Sequence, residues 1–87
     1  MAVVVTRDAA RAAVLAEIDR LEGDPPPWAE MHLVCAIEAI RRGDAEAAYY
    51  RVVTLRRGPI LEEAAKLPRR PLLTKARLRT MLEALQV

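Results

Sequence analysis

The stretch Pro27–Arg57, PWAEMHLVCAIEAIRRGDAEAAYYRVVTLRR, decides the fold, because it holds two apolar helical segments separated by Gly43 and Asp44. Glycine tolerates the left-handed backbone that ends a helix, and aspartate is a preferred N-cap for the next helix. The first segment, about residues 27–42, carries apolar side chains around much of its circumference. This pattern predicts the central and most buried helix.

Three further helices are predicted on either side of this hairpin. They are marked by N-cap residues and by proline breaks, and Gly23 and Gly58, like Gly43, stand where a helix should stop. The first runs over about residues 7–22 after Thr6, another over about 59–67, and the last starts after Thr74. No Asn-Gly or Asp-Gly turn joins alternating apolar runs, so strands have weak support. We predict an all-α fold, a small bundle of four to five short helices joined by Gly/Pro turns.

The length and composition indicate one small globular domain. Residues 1–87 form a single helical domain in this interpretation, with 1–6 as a disordered N-terminus and 23–27 as a Pro-rich linker. Hydrophobic residues make up 53% and charged residues 30% of the 87 residues, which is a globular balance. A chain of this size buries only about 60–65% of its unfolded surface. We therefore expect help from association, either as a dimer or with a larger protein partner.

The composition also limits the chemistry. The chain has no Ser, one Cys and one His, which excludes a serine nucleophile, an intrachain disulfide and a histidine-rich metal cage. His32 and Cys35 lie three residues apart on one helix. They form either a Cys–His couple for metal or redox sensing, or a core thiol with an imidazole at its edge, and the second interpretation is favoured. We expect no enzyme activity, no catalytic residues, no bound metal and no cofactor.

The charge is distributed unevenly along the chain. Residues 1–50 carry five basic and nine acidic groups, giving −4, whereas residues 51–87 carry nine basic and three acidic groups, giving +6. The pairs Arg41-Arg42 and Arg56-Arg57 lie at helix C-termini, where cations stabilise the helix dipole. The cations around Thr74 lie instead at a helix N-terminus, where each is disfavoured by about 0.3–1 kcal/mol.

A helix N-terminus surrounded by cations is an arrangement that binds anions. The anion is an acidic protein, a nucleic-acid phosphate or the acidic N-terminal half of this chain. Tyr49 and Tyr50 are adjacent on a helix and cannot both face the core, so one of them is expected at a surface or interface. We predict a partner- or anion-binding surface formed by Arg69, Arg70, Lys75, Arg77, Arg79 and Tyr50.

These observations predict a non-catalytic protein–protein interaction or regulatory module that docks an acidic partner through a basic C-terminal surface. The alternative is a small DNA-binding transcriptional regulator that uses the same basic helix, so nucleic acid remains a possible partner. No apolar run approaches the length of about 18 residues that spans a bilayer, so no membrane association is expected. The first residues lack the regions of a signal peptide, which predicts a cytoplasmic protein. Frequent Ala and Arg are typical of a GC-rich bacterial genome.

Overall fold

The computed structural model describes residues 5–58 and 73–85, and four α-helices account for most of these residues. They are α1 (Arg7–Asp19), α2 (Pro27–Arg41), α3 (Ala45–Arg56) and α4 (Lys75–Glu83). Neither of the two ranges contains a strand, which confirms the all-α prediction. Helix α4 corresponds to the last predicted segment, whereas the segment predicted at 59–67 lies outside the described residues. No helix in the described ranges is long and apolar enough to cross a bilayer.

The helices begin where the sequence predicts their N-caps. In each of three caps, a side-chain oxygen accepts a hydrogen bond from the backbone N–H three residues later, at 3.1 Å. The three cap residues are Thr6, Asp44 and Thr74. Such a bond satisfies one of the amides that a helix start leaves without a partner. Helix α2 begins differently, with Pro27 at its first position, where the missing proline N–H costs nothing.

Two of the three glycines end helices in the predicted way. Gly43 after α2 has φ = 85°, and Gly58 after α3 has φ = 91°, so both occupy the left-handed region that favours glycine. Gly23 does not have a positive φ. Helix α1 ends at Asp19, three residues before the predicted end, and the chain passes through a bend before it reaches Gly23. The prediction of a glycine terminator for α1 was therefore wrong.

The core lies between α1 and α2, which contact each other and also both remaining helices. Helix α2 buries more residues than any other described helix, as its apolar circumference predicts. Helices α3 and α4 both pack on the α1–α2 pair but do not contact each other. Trp28 is half-buried and packs against the core, which agrees with an internal role. The largest buried apolar side chains belong to Ile18, Leu33, Ile37, Ile40, Leu78 and Leu82.

Parts of the N-terminal segment and of the Pro-rich linker are packed against the fold. In the predicted N-terminal tail, Val5 is partly buried against the core, and Thr6 caps α1. In the predicted linker, Pro25 is buried and Pro27 already belongs to α2. The link between α1 and α2 is therefore packed against the bundle at Pro25, and the central helix α2 begins two residues later.

A buried carboxylate joins α1 to α3. Oε1 of Glu17 accepts a hydrogen bond from Arg56 Nε at 2.6 Å and another from Arg20 Nη1 at 3.1 Å. The hydrogen bond to Glu17, together with its negative charge, raises the pKa of Arg56 above its ordinary value. Arg56 thus does more than complement the dipole of α3, because it neutralises a carboxylate that is only 7% exposed.

Candidate functional site

The N-terminal end of α4 carries the cations that the sequence singles out, and two of its first amides already donate to side chains. Thr74 Oγ1 accepts a hydrogen bond from the N–H of Arg77. The backbone N–H of Lys75 donates to Oδ1 of Asp24 at 3.0 Å. A carboxylate at a helix N-terminus is stabilised by the helix dipole. The anion that occupies this helix end therefore belongs to the acidic N-terminal half of the same chain.

The ammonium group of Lys75 is bound to the end of α1. Its Nζ donates to the carbonyl oxygen of Leu21 at 2.6 Å and lies 3.4 Å from the carbonyl oxygen of Asp19. The last carbonyls of a helix have no intrahelical partner, and they carry the negative end of its dipole. The position of Lys75 is unfavourable for α4 but favourable for α1, because the two helix ends lie against each other.

The other predicted cations differ in their surroundings. Arg79 contacts two carboxylates, Asp19 through Nη1 at 3.0 Å and Glu83 through Nε at 3.1 Å. Arg77 is exposed, and its side chain forms no ion pair with any residue in the described ranges. Arg69 and Arg70 lie outside those ranges. Of the predicted cations that the structure describes, Arg77 alone has no ion pair or hydrogen bond from its side chain to another described residue.

Tyr50 lies on a different part of the molecule from these cations. It belongs to α3, which does not contact α4. Its side chain is 64% exposed, and that of Tyr49 is 40% exposed. One tyrosine was expected at the surface, and in the structure both of them reach it. Within the described ranges, the members of the predicted surface thus lie on two helices that do not contact each other, α3 and α4.

Tyr50 borders a groove between α2 and α3 with a volume of about 300 Å³. The short side chains of Ala39 and Ala47 leave space between the two helices, and Val34 and Cys35 are both partly exposed there. The groove is lined by Val34, Cys35, Glu38, Ala39, Arg42, Ala47, Tyr50 and Arg51. We call this set the α2–α3 groove.

The charges of the α2–α3 groove are unbalanced. Glu38 is its one acidic member, and its Oε1 lies 3.2 Å from Nη1 of Arg41, outside the groove lining. Within the described part of the chain, no ion pair engages Arg42 or Arg51. Arg42 is exposed and Arg51 is half-buried. Two guanidinium groups on this surface are therefore open to an external carboxylate.

Sequence reasoning did not select the two arginines of this groove. The sequence explained Arg42 by its favourable interaction with the dipole at the C-terminus of α2. Arg51 entered only the count of charges. The available signal is helical spacing, because Val34, Glu38 and Arg42 recur every four residues along α2 and share one face. On α3, Ala47 and Arg51 have the same spacing. These two faces form one groove only when α2 and α3 pack against each other.

His32 and Cys35 point into different surroundings. His32 is buried, with 6% of its surface exposed, whereas Cys35 is half-buried in the wall of the groove. Among residues 5–58 and 73–85, no group of three or more His, Cys, Asp or Glu side chains is placed to hold a metal ion. The structure therefore gives Cys35 a position in the groove wall and His32 a position in the core.

Comparison with known proteins gives no relative for this arrangement. No family model, no curated protein sequence and no solved structure matches the chain.

Proposed function

We propose that this chain is a non-catalytic regulatory module that binds an acidic protein partner in the α2–α3 groove. One observation carries the proposal: an exposed tyrosine, a cleft lined by both apolar and charged side chains, and two arginines without an ion partner among the described residues occur together on one surface. Tyrosine and arginine are enriched among the residues that dominate binding at protein interfaces. A tyrosine supplies a large rigid contact area, and arginine pairs with carboxylates in a bidentate geometry.

The energetics favour the groove over the N-terminal end of α4. A partner carboxylate that approaches Arg42 or Arg51 displaces no ion pair between described residues, because Glu38 is paired with Arg41. At α4, a partner would first have to separate Arg79 from Asp19 and Glu83. We therefore assign the docking role to the groove, and we assign Lys75 and Arg79 to holding α4 on the end of α1.

The alternative function is that of a DNA-binding regulator. It requires several cations in contact with phosphates, and it was inferred from the cations of α4. Lys75 and Arg79 make internal contacts, which leaves Arg77 as the open cation among the described residues of that helix. This distribution gives weaker support to a DNA reader than to a protein-binding groove.

The proposal is tested by photocrosslinking from inside the groove. Tyr50 is replaced by the photoreactive amino acid benzoylphenylalanine, and the variant is irradiated in cells of the source organism. We expect an adduct that a protease removes and a nuclease does not. The adduct should be lost when Arg42→Glu and Arg51→Glu are introduced together, because these substitutions repel an acidic partner.

The matched control places the same photoreactive group at Arg77, which is also exposed but lies on α4. We expect little or no adduct from that position. A nuclease-sensitive adduct, or stronger capture from position 77 than from position 50, would contradict the proposal. An adduct of twice the chain mass would show that the predicted dimer, and not another protein, covers the groove.

A further inference from the structure

The floor of the α2–α3 groove determines what size of group can enter it. Ala39 and Ala47 are the smallest side chains in the lining, and the groove measures about 300 Å³. A cavity of about 150 Å³ holds one benzene ring, so the groove has room for one large side chain and part of its neighbours. This volume lies at the lower end of the range for sites that bind small organic ligands, which is about 300–1,000 Å³.

The shape of the groove favours a helix as its occupant. Helices α2 and α3 form a tight hairpin, in which the N–H of Asp44 donates to the carbonyl oxygen of Ala39 at 2.8 Å. A groove between two neighbouring helices runs along their axes. An amphipathic helix fills such a groove with apolar side chains spaced three or four residues apart.

The charges select the composition of that helix. Arg42 lies just after α2, and Arg51 lies in the middle of α3, so the two guanidinium groups come from the two helices that border the cleft. We infer that the groove receives an acidic amphipathic helix of a partner protein, with one large aliphatic side chain between α2 and α3 and carboxylates at Arg42 and Arg51. This inference rests on the proposed function and specifies the partner for it.

A second copy of this chain is a poorer occupant than a different protein. Symmetric pairing of the groove with itself brings the same patch of both copies together. Arg42 and Arg51 would then lie close to the arginines of the copy, and like charges in contact oppose association. The groove therefore calls for a partner whose charge is opposite to its own.

The inference is tested by selection from a phage-displayed library of random 16-residue peptides on the full 87-residue chain. We expect the enriched peptides to carry one large aliphatic residue with Asp or Glu three or four positions from it. Each selected peptide is then labelled with fluorescein, and its binding to the chain is measured by anisotropy. Replacing the central aliphatic residue of a peptide by Ser should weaken binding at least tenfold.

Variants of the chain locate the binding surface. Arg42→Glu with Arg51→Glu should weaken the selected peptides at least tenfold, and the milder pair Arg42→Gln with Arg51→Gln should weaken them severalfold. The control Arg77→Glu changes the charge equally per site on α4 and should alter binding less than twofold. Circular dichroism checks whether each variant keeps the helical fold. If the Arg42→Glu, Arg51→Glu chain unfolds, peptide binding by the Arg42→Gln, Arg51→Gln chain decides the test.

Several outcomes would overturn the inference. These are a selection that enriches no peptide, enriched peptides without acidic residues, or equal loss of binding in the Arg77→Glu control. If crosslinking from position 50 captures a protein while the selection returns no acidic helix, the inference fails and the proposed function stands. If position 50 captures no protein, the proposed function fails as well.

Discussion

Replacing Lys75 by Met tests whether the cations at the start of α4 serve the fold or await a partner. Methionine keeps most of the apolar stem and removes the ammonium group. The lost contact is the 2.6 Å hydrogen bond from Nζ to the carbonyl oxygen of Leu21, which is partly buried. We expect the variant to be less stable than the parent chain, because the end of α1 loses its cationic partner.

The magnitude follows from two opposing terms. A hydrogen bond from a charged group contributes about 1.5–3 kcal/mol. Removing a cation from a helix N-terminus returns about 0.3–1 kcal/mol. The net loss in the free energy of unfolding is therefore about 1–2 kcal/mol. For a domain of this size, each kcal/mol shifts the Tm by about 4–8 °C, so the melting temperature should fall by about 5–15 °C.

Urea and thermal unfolding followed by circular dichroism at 222 nm measure this loss. The matched control is Arg77→Met, two residues away on the same helix, where the side chain is exposed and makes no ion pair with the described residues. We expect its free energy of unfolding to equal that of the parent or to exceed it by up to about 1 kcal/mol, because this variant removes a cation from the helix N-terminus without breaking an ion pair among the described residues. Equal stability of the Lys75 and Arg77 variants would refute the assignment of Lys75 to the fold.

Further predictions address the turns, the core and the buried carboxylate. Gly43→Ala should destabilise by about 1–2 kcal/mol, because its φ of 85° is left-handed although no atom lies within 4 Å of the added methyl group. Gly23→Ala is the matched control and should be neutral or stabilising by up to about 1 kcal/mol, as urea titration would reveal. Leu82→Ala should cost about 2–5 kcal/mol, since this side chain is fully buried; a loss below 1 kcal/mol would mean that α4 is not docked. Glu17→Gln should lower the Tm by the same amount at pH 7 and pH 9. Because Glu17 raises the pKa of Arg56, the ion pair contributes its full stability at every pH below the ordinary arginine pKa. That stability is lost only when the pH rises through the higher pKa of the folded state. A stability difference that changes between these two pH values would contradict that assignment.

The local structure of this protein follows closely from its sequence. Thr6, Asp44 and Thr74 cap the helices that they were predicted to cap, because an N-cap depends only on residues within one turn. Gly43 and Gly58 end helices for an equally local reason. The apolar pattern of α2 also predicts its central place, since a helix that is apolar around most of its surface has to be buried on most sides.

What the sequence did not predict depends on contacts between distant residues. The sequence indicates that Lys75 is a cation at the N-terminus of a helix, where the dipole disfavours it. Its partner, the carbonyl oxygen of Leu21, is 54 residues away and cannot be predicted from the local sequence. The buried Glu17 has its partner Arg56 39 residues away, so the sequence around Glu17 does not identify the cation that pairs with it. The α2–α3 groove arises in the same way, because five of its lining residues come from α2 and its C-cap and three come from α3, and neither set is distinctive alone.

The most direct test of the docking site is amide shift mapping by NMR on the ¹⁵N-labelled chain, titrated with the acidic segment of the partner captured from position 50. The account predicts that the largest shifts occur in the second half of α2 and the first half of α3, around Cys35, Arg42 and Arg51. They should disappear in the Arg42→Glu, Arg51→Glu variant. Shifts concentrated at residues 74–79 instead would contradict the account, because they would place the partner on α4.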